Sequence, residues 1–517
     1  MSSKDFQESA LKLSRILDSY LSGVLDYAYE NPFLICNPAI SRNPVSSSLL
    51  YKVVTDQKPS ETKGRPEQVL VKLVRYYASS FICLLFFLLH FFVFKFSRLS
   101  FNSKGVDKNE DLIIISTFTL IDKIYPKGGF DDPYFGELYE IMKRRNRQFV
   151  ILCFLFGDKP WNFRRRFQTY NILAEDGSNF VTEFELMGIG EWFDLLKCVL
   201  LYPVAVLKLM RQDFGQYDEL LRGELIETLD KVQLWNYTRY LVGRRLHVLT
   251  GRHQEIISWY ENQVIDKLLH KGIRESVSES TIYGCQFFLK FPLFTSLYPL
   301  TAELSHGVLP DEILVSGKYY VDKNDGLGIK HGISPRYDYV FDADLSERNI
   351  RDRKDVLVLL TYYEDESMRI INLVETSIKD TCSHRIKVKL HPNHLLSRPF
   401  RYPDVWQYTE EVLDTLLLDS SIVITGSTSA AMEAAVMGSS VIIVGNDRGL
   451  TYNPMPEYGR GRIWDMVFDS GELAQAIEGL RQYRREHPDQ VISMAHRLKD
   501  MFFTRATEGK YIELFNL

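Results

Sequence analysis

The stretch Ser421-Ile422-Val423-Ile424-Thr425-Gly426-Ser427-Thr428-Ser429-Ala430-Ala431-Met432-Glu433-Ala434-Ala435-Val436-Met437-Gly438, continued by Ser439–Asn446, decides how this chain of 517 residues is read. Ile422–Thr425 is a short β-branched run of buried-strand type, and Gly426 breaks it. Ser427, Thr428 and Ser429 then set three hydroxyls where a helix should begin. Ala430–Val436 has helix-forming composition, Gly438 stops it, and Val441–Val444 is the next buried strand. The result is a βαβ unit with a small polar turn at the carboxyl end of its first strand. Such a turn leaves backbone N–H groups free at a helix N-terminus, where an anion binds well. Glu433 follows Ser429 by four residues and shares its helix face. From there a carboxylate accepts hydrogen bonds from ribose hydroxyls while the turn holds phosphate. A capping box is the plainer alternative, but it needs its acid where Met432 stands.

The strand Ile386–Leu390 precedes this unit and ends in His391-Pro392-Asn393-His394. Pro392 stops the strand, which sets His391 at the carboxyl edge near the same crevice. Together, Lys-Leu-His-Pro and Ser-Thr-Ser-x-x-x-Glu-Ala-x-x-x-Gly resemble the donor-binding half of GT-B glycosyltransferases. The likeness is to bacterial surface-polysaccharide enzymes, including Kdo transferases and sialyltransferases with a His-Pro motif. The resemblance implies an α/β chain of GT-B class, with two Rossmann-like domains facing across a cleft. It also implies that His391, Pro392, Ser427, Thr428 and Ser429 hold the phosphate of a nucleotide sugar, with a CMP-sugar such as CMP-Kdo favoured. In these families a strand ending in Gly opens the C-terminal domain towards the donor phosphates, which puts Gly317 and Lys318 in the donor set.

Composition agrees with a folded, two- or three-domain protein: 45% of residues are hydrophobic and 25% charged. The net charge of −5 gives no case for nucleic-acid binding. The six cysteines are scattered, without a Cys-x-x-Cys pair, which reads as reduced thiols in a cytosolic protein. The N-terminus is polar and charged, unlike a secretory signal.

Residues 1–108 are read as a helical extension. An amphipathic helix carries Leu11, Ile16, Leu17, Leu21 and Leu25, Asn31–Ser48 is a loop, and Thr55–Glu67 is polar without period. Ala78–Phe94 is uncharged and mostly apolar, inside a membrane-associating stretch 78–96. It is at the short end for a span, and Lys72, Arg75, Lys95 and Arg98 flank both sides. A span, a helix lying in the headgroup region and a buried helix remain open. The lying helix is preferred, because the resembled families build lipid-linked glycans at a membrane surface.

The first Rossmann-like domain is expected at 109–308. Asp111–Phe118 and Phe149–Phe156 are its opening strands, and Thr119–Pro133 is a loop that puts Asp122 past a carboxyl end. Arg164-Arg165-Arg166 is either a solvated face or a patch for anionic lipid or a phosphate-bearing acceptor. Leu195–Met210 is a second apolar stretch, which either joins the first in a membrane-facing patch or forms a core helix. Leu246–Leu249 is a short strand. Trp259-Tyr260-Glu261-Asn262-Gln263 groups a carboxylate and two amides at a helix start. It is similar to the acidic acceptor segment of Kdo-type transferases, which makes Glu261 the first candidate for a catalytic base and Asp122 the second. The donor domain is expected at 309–505, followed by a tail at 506–517.

The expected activity is transfer of a sugar from a nucleotide-activated donor to a surface-polysaccharide or lipid-linked glycan acceptor. No cofactor and no metal are expected, since Asp342-Ala343-Asp344 lies in an irregular segment without a histidine cluster. The expected partners are a nucleotide sugar, a glycan or lipid-linked acceptor and a membrane surface, and the expected place is the cytoplasmic side of the membrane. A nucleotide-sugar 2-epimerase, a CDP-glycerol-type polyol-phosphate transferase and a non-catalytic assembly subunit are the rival readings.

Overall fold

The computed structural model describes residues 23–42, 66–101, 106–107, 110–213, 215, 218–249, 253–277, 279–321, 326–353, 355–377, 386–391, 406–446 and 450–517. The amphipathic helix, the polar stretch before residue 66 and Pro392 therefore lie outside them, apart from a helical stretch at 23–28.

Two wholly parallel sheets organise the chain. The first contains β1 (Leu112–Leu120), β2 (Phe149–Phe156), β3 (Phe180–Thr182), β4 (Gln254–Trp259), β5 (Ser280–Gln286), β6 (Glu312–Val315) and β7 (Ile329–His331), in the order β3-β2-β1-β4-β5-β6-β7. The second contains β8 (Asp355–Leu359), β9 (Ile386–Lys389), β10 (Trp406–Tyr408), β11 (Ser420–Thr425), β12 (Ser440–Val444) and β13 (Trp464–Val467), in the order β10-β9-β8-β11-β12-β13. Both are doubly wound, and each reverses direction once, between β1 and β4 in the first and between β8 and β11 in the second. A crevice opens at such a reversal, beyond the carboxyl ends of the strands. This is the two-domain GT-B architecture. The central strands are continuous apolar runs because helices cover both of their faces. Ile115, for example, pairs with Ile151 on one side and Ile257 on the other, and all three are fully buried.

The division between the domains differs from expectation. β6 and β7 belong to the first sheet, so the first domain runs past residue 308 to β7. Leu246–Leu249 is a 3-10 turn, and the strand that follows it is β4. The end of the chain is no tail: helix Glu508–Phe515 returns to the first domain. There Tyr511 donates to the Phe135 carbonyl at 2.7 Å, and Phe515 packs on Tyr283. The returning chain runs beside the outgoing one. Ser334 N–H donates to the Thr504 carbonyl at 2.9 Å, and Thr504 N–H donates to Ser334 Oγ at 3.0 Å.

The described part of Asn31–Ser48 is a buried plug instead of a surface loop. It includes the helix Pro32–Ile35. Asn37 and Ser41 are fully buried, and Arg42 joins the buried pair Lys267–Glu303. Above it lie two long helices, Pro66–Lys95 and Ile189–Leu209. One side of the first is held along its length: Lys72 pairs with Asp230 at 2.8 Å, Tyr76 meets Tyr202, Phe87 meets Trp192 and Trp235, and Phe94 meets Tyr170. The opposite side exposes Val74, Phe81, Ile82, Leu85 and Phe92, and the neighbouring helix exposes Phe193, Leu200, Leu201 and Val204. The two apolar stretches thus form one face.

Candidate functional site

At the reversal of the first sheet, β1 ends at Leu120 and runs directly into the short helix Ile121–Lys127. Asp122 therefore sits in a helical first turn, not in a loop. Its carboxylate binds Arg165 at 2.7 Å, and Arg165 also reaches Asp158 at 3.8 Å. Across the reversal, β4 delivers Tyr260, Glu261 and Asn262. Asn262 has φ +56°, a left-handed conformation that Asn tolerates better than most residues. The turn is fixed on three sides: Tyr260 donates its hydroxyl to Asn262 Oδ1 at 2.8 Å, and Asn262 Nδ2 donates to the Ser296 carbonyl at 2.7 Å and to Glu303 at 3.2 Å. Gly284 is required beside it, because a Cβ there would stand 2.9 Å from the Tyr260 ring.

Glu261 accepts from Trp259 Nε1 at 2.9 Å and Gln263 Nε2 at 2.6 Å, and its own N–H donates to Asp266 at 3.0 Å. Burial raises the Glu261 pKa, while the Trp259 hydrogen bond and the charge of Arg336 restrain it. Burial likewise pushes Asp266 up to about 7. Asp122 and Glu261 line one cavity of about 1180 Å³, with Tyr134, Arg165, Arg166 and Lys231 among its walls. The arginine run is thus not uniformly solvated: Arg164 is exposed, Arg165 is half-buried and Arg166 is buried.

At the reversal of the second sheet, the turn after β11 is occupied by its own partners. Ser427 donates both its N–H and its hydroxyl to Glu366 Oε1, at 3.1 and 2.8 Å, and Ser427 Oγ accepts from Tyr452 N–H at 3.0 Å. Glu366 comes this close because residue 426 is glycine, whose Cβ would lie 2.8 Å from the carboxylate. Thr428 Oγ1 accepts from Ala430 N–H at 3.3 Å, and Ser429 donates to Glu433 Oε1 at 3.1 Å. Glu433 is buried beneath the turn, and its other oxygen accepts from the Tyr339 hydroxyl. Burial pushes its carboxyl upward against the Tyr339 hydrogen bond and the Arg336 charge. With both oxygens taken, Glu433 is not the open carboxylate expected from its spacing. Glu366 is buried, and its Oε2 has no hydrogen-bond partner among the described residues.

His391 follows β9, two strands from β11 with β8 between, and its ring meets Tyr362 edge-on at 5.5 Å. Gly317 and Lys318 do not join this group. They follow β6 of the first sheet, and Gly317 is small for a packing reason, since its Cβ would stand 2.3 Å from the Phe502 backbone. Asp342 pairs with Arg505 at 2.7 Å, and Asp344 caps Ser346 at 2.9 Å, so both acids have structural partners. No group of three or more histidine, cysteine, aspartate or glutamate side chains with metal-holding geometry is present among the described residues.

The two reversals face each other. Phe294, from the first domain, packs against Tyr452, from the second, with ring centres 4.0 Å apart and planes tilted by 52°. Arg336, on the segment Pro335–Phe341 between the domains, is solvent-exposed. Its charge is felt by Glu261 on one side and by Glu433 on the other. Arg336 and Glu366 were not singled out from sequence. The only trace of either is charge inside otherwise aromatic segments, Arg336-Tyr337 and Tyr362-Tyr363.

No family model matches the sequence, and no curated protein matches it. Among solved structures, the wall teichoic acid polymerase TagF is similar at 12% identity and a TM-score of 0.39, covering 88% of this chain and 97% of that one. The S. aureus MnaA–UDP structure is similar at 11% identity and 0.42, covering 77% and 93%. The UDP-GlcNAc 2-epimerase from Neisseria meningitidis, bound to UDP-GlcNAc, is similar at 10% identity and 0.42, covering 78% and 98%.

Proposed function

We propose that the chain is a GT-B-type glycosyltransferase that moves a sugar from a nucleotide-activated donor to a surface-polysaccharide or lipid-linked glycan acceptor, without a metal. One observation supports this above the others: the crevices at the two sheet reversals are brought face to face, one carrying Asp122 and Glu261 in a roomy cavity and the other carrying the Ser427–Ser429 turn.

In this reading the acceptor occupies the first crevice, and Glu261 removes the proton from its attacking hydroxyl. Glu261, half-buried and raised in pKa by its surroundings, is preferred over Asp122, whose carboxylate Arg165 already holds. The donor phosphate meets the N–H groups and hydroxyls of the Ser427–Ser429 turn, with His391 at its flank. Glu366 yields Ser427 to the phosphate and turns its carboxylate to the ribose hydroxyls. As the sugar–phosphate bond breaks, negative charge grows on the phosphate, and Arg336 is placed to stabilise it across the cleft. A CMP-sugar is the donor favoured by the His-Pro and Ser-Thr-Ser motifs.

The apolar face of helices Pro66–Lys95 and Ile189–Leu209 supports a seat on a membrane surface, in this reading its cytoplasmic side. Its exposed flanking charges include Arg75, Lys95, Arg98, Lys197 and Lys208, a match for anionic lipid. Side-on packing from Lys72 to Phe94 supports the first helix lying along the domain over its spanning a bilayer, which its length and hydropathy would allow.

The test is a thermal-shift series with CMP, CDP, UDP and GDP, with and without EDTA, on wild type, Ser427→Ala and His391→Ala. A nucleotide at about 100 Kd adds roughly 2.7 kcal/mol. A rise with CMP that ignores EDTA and is lost in both variants is expected. A response to UDP or GDP alone removes the CMP-sugar. No response to any nucleotide removes the donor site and leaves a non-catalytic subunit.

A further inference from the structure

We propose that the first crevice seats an uncharged sugar of the acceptor, with Asp158, Arg165 and His90 reading its hydroxyls and the rings around Phe118 packing on its face. The proposal rests on the acceptor-side reading above and names the class of acceptor: a neutral glycan end, as opposed to one bearing phosphate or carboxylate.

Four cations and four acids line the cavity. They are set against one another within it. Arg165 holds Asp122 at 2.7 Å and reaches Asp158 at 3.8 Å, and the charge of Arg166 acts on Glu183. Lys159 and Lys231 are exposed, and Glu261 accepts from Trp259 and Gln263. The charges cancel in number, so an anion brought into this space finds no surplus of opposite charge to offset its lost hydration.

The hydrogen-bonding atoms left over are of both kinds. Asp158 Oδ1 accepts from the Lys159 N–H at 2.7 Å and from Asn162 Nδ2 at 3.3 Å, whereas its buried Oδ2 has no hydrogen-bond partner among the described residues. Arg165 Nε is a buried donor without a partner. His90 is fully buried, and neither ring nitrogen makes a hydrogen bond, although the Pro160 carbonyl lies near the ring. Burial keeps that imidazole uncharged, so it offers one donor and one acceptor. An anion can use only the donors of this set. A sugar hydroxyl donates and accepts at once, so a ring carrying several of them answers both kinds.

The wall beside these atoms is aromatic. Phe118 meets Tyr134, Phe154 and Phe156 at ring-centre distances of 6.3, 6.1 and 5.9 Å, and all four rings line the cavity. The face of an aromatic ring is negative, which favours the weakly positive C–H groups of a pyranose over a phosphate or carboxylate. Tyr134 feels the charge of Glu261, so a sugar lying on these rings is next to the proposed base.

The experiment titrates the full-length protein by saturation-transfer NMR with methyl glucoside, galactoside, mannoside and N-acetylglucosaminide, and with two anions, methyl glucuronide and glycerol 3-phosphate. Wild type is compared with Asp158→Asn, His90→Phe and Phe156→Ala. The last replaces an exposed ring, so it reports even if a buried variant fails to fold. At least one neutral glycoside should bind about tenfold more tightly than either anion. Its affinity should fall about tenfold in Asp158→Asn and His90→Phe, as for one lost hydrogen bond, and roughly three- to tenfold in Phe156→Ala. Either anion binding as tightly as the best glycoside overturns the proposal. So does a glycoside affinity that all three variants leave unchanged, or the absence of any glycoside binding. The donor reading fails separately, by no thermal shift with any nucleotide, and glycoside binding in that case keeps the sugar seat on a protein that is no transferase. A nucleotide shift with only the anions bound keeps the transferase and removes the neutral acceptor.

Discussion

Replacing Lys267 by Met tests the foundation of the first crevice. Lys267 is wholly buried, and its Nζ lies 2.8 Å from Glu303 Oε1 and 2.8 Å from the Ser41 carbonyl. Burial pulls its pKa down to about 8, and the Glu303 carboxylate limits the fall. Burial also works to raise Glu303, but Lys267 and then Arg42 overcome it and hold the carboxyl below its ordinary range. Met keeps the stem and removes the charge. Glu303 then keeps Arg42, at 3.4 Å, and the Ser41 carbonyl loses a donor. Breaking a buried pair from one side costs about 3–5 kcal/mol, and the remaining arginine argues for about 3. For a domain of this size each kcal/mol is worth about 2–4 °C, so the first unfolding transition should fall by roughly 6–12 °C. The sign with pH follows from Glu303. In wild type its depressed pKa contributes stability above the unfolded value of about 4.3, lost as pH falls through the folded value. In the variant burial weighs more, so the Glu303 carboxylate opposes folding at neutral pH and does so less as it protonates. The gap between variant and wild type should therefore narrow on acidification. Differential scanning calorimetry across pH measures both quantities. A fall below about 1 °C, or a gap independent of pH, would refute the buried pair as a support of the fold.

Other expectations are equally direct. Glu261→Gln should lower transfer by about 10²–10⁴ while nucleotide binding is retained. In wild type the acid limb of the pH–rate profile should stand above the ordinary glutamate value, because burial raises this carboxyl. A limb at or below about 4.3 would take the base role from Glu261. Gly272→Ala should destabilise by about 1–3 kcal/mol or more in urea, because its Cβ would stand 2.2 Å from the Tyr240 carbonyl where two helices cross. An unchanged midpoint would mean that the helices separate freely. Tyr339→Phe should cost about 1 kcal/mol through the lost hydrogen bond to Glu433. It should also weaken donor binding less than Ser427→Ala does; the reverse order would return the ribose role to Glu433.

The βαβ unit around the Ser-Thr-Ser turn was legible almost to the residue, with the helix at Ala430–Val436 as read. Its strands are β-branched and its breaks are glycines, so local chemistry and tertiary burial agree. β4 was not legible. It opens with Gln254 and Glu255, and only its place between β1 and β5 makes it a strand. The domain boundary was drawn at Leu309-Pro310-Asp311, but that bend leads into β6, a neighbour of β5 in the same sheet. Gly317 looked like a phosphate glycine, and its reason lies 185 residues away at Phe502, beyond any local pattern. The arginine run shows the same limit. Which of the three faces the cavity depends on how the helix Phe163–Glu175 is rotated against Pro66–Lys95, a fact of packing alone.

The paired crossings near Ser334 and Thr504 govern how the halves can move. Two neighbouring strands of backbone, tied to each other in both directions, resist twisting and sliding far better than a single tether. The free motion left to the two halves is rotation about the line of that double tie, which opens or shuts the cleft like a book on its spine. Arg336 stands two residues from Ser334, close to that spine. It would shift little through such a swing, while Glu261 and Ser427 would ride on the separate covers. A version ending before residue 508 would lose the Tyr511 and Phe515 anchors that press the returning strand onto the first half.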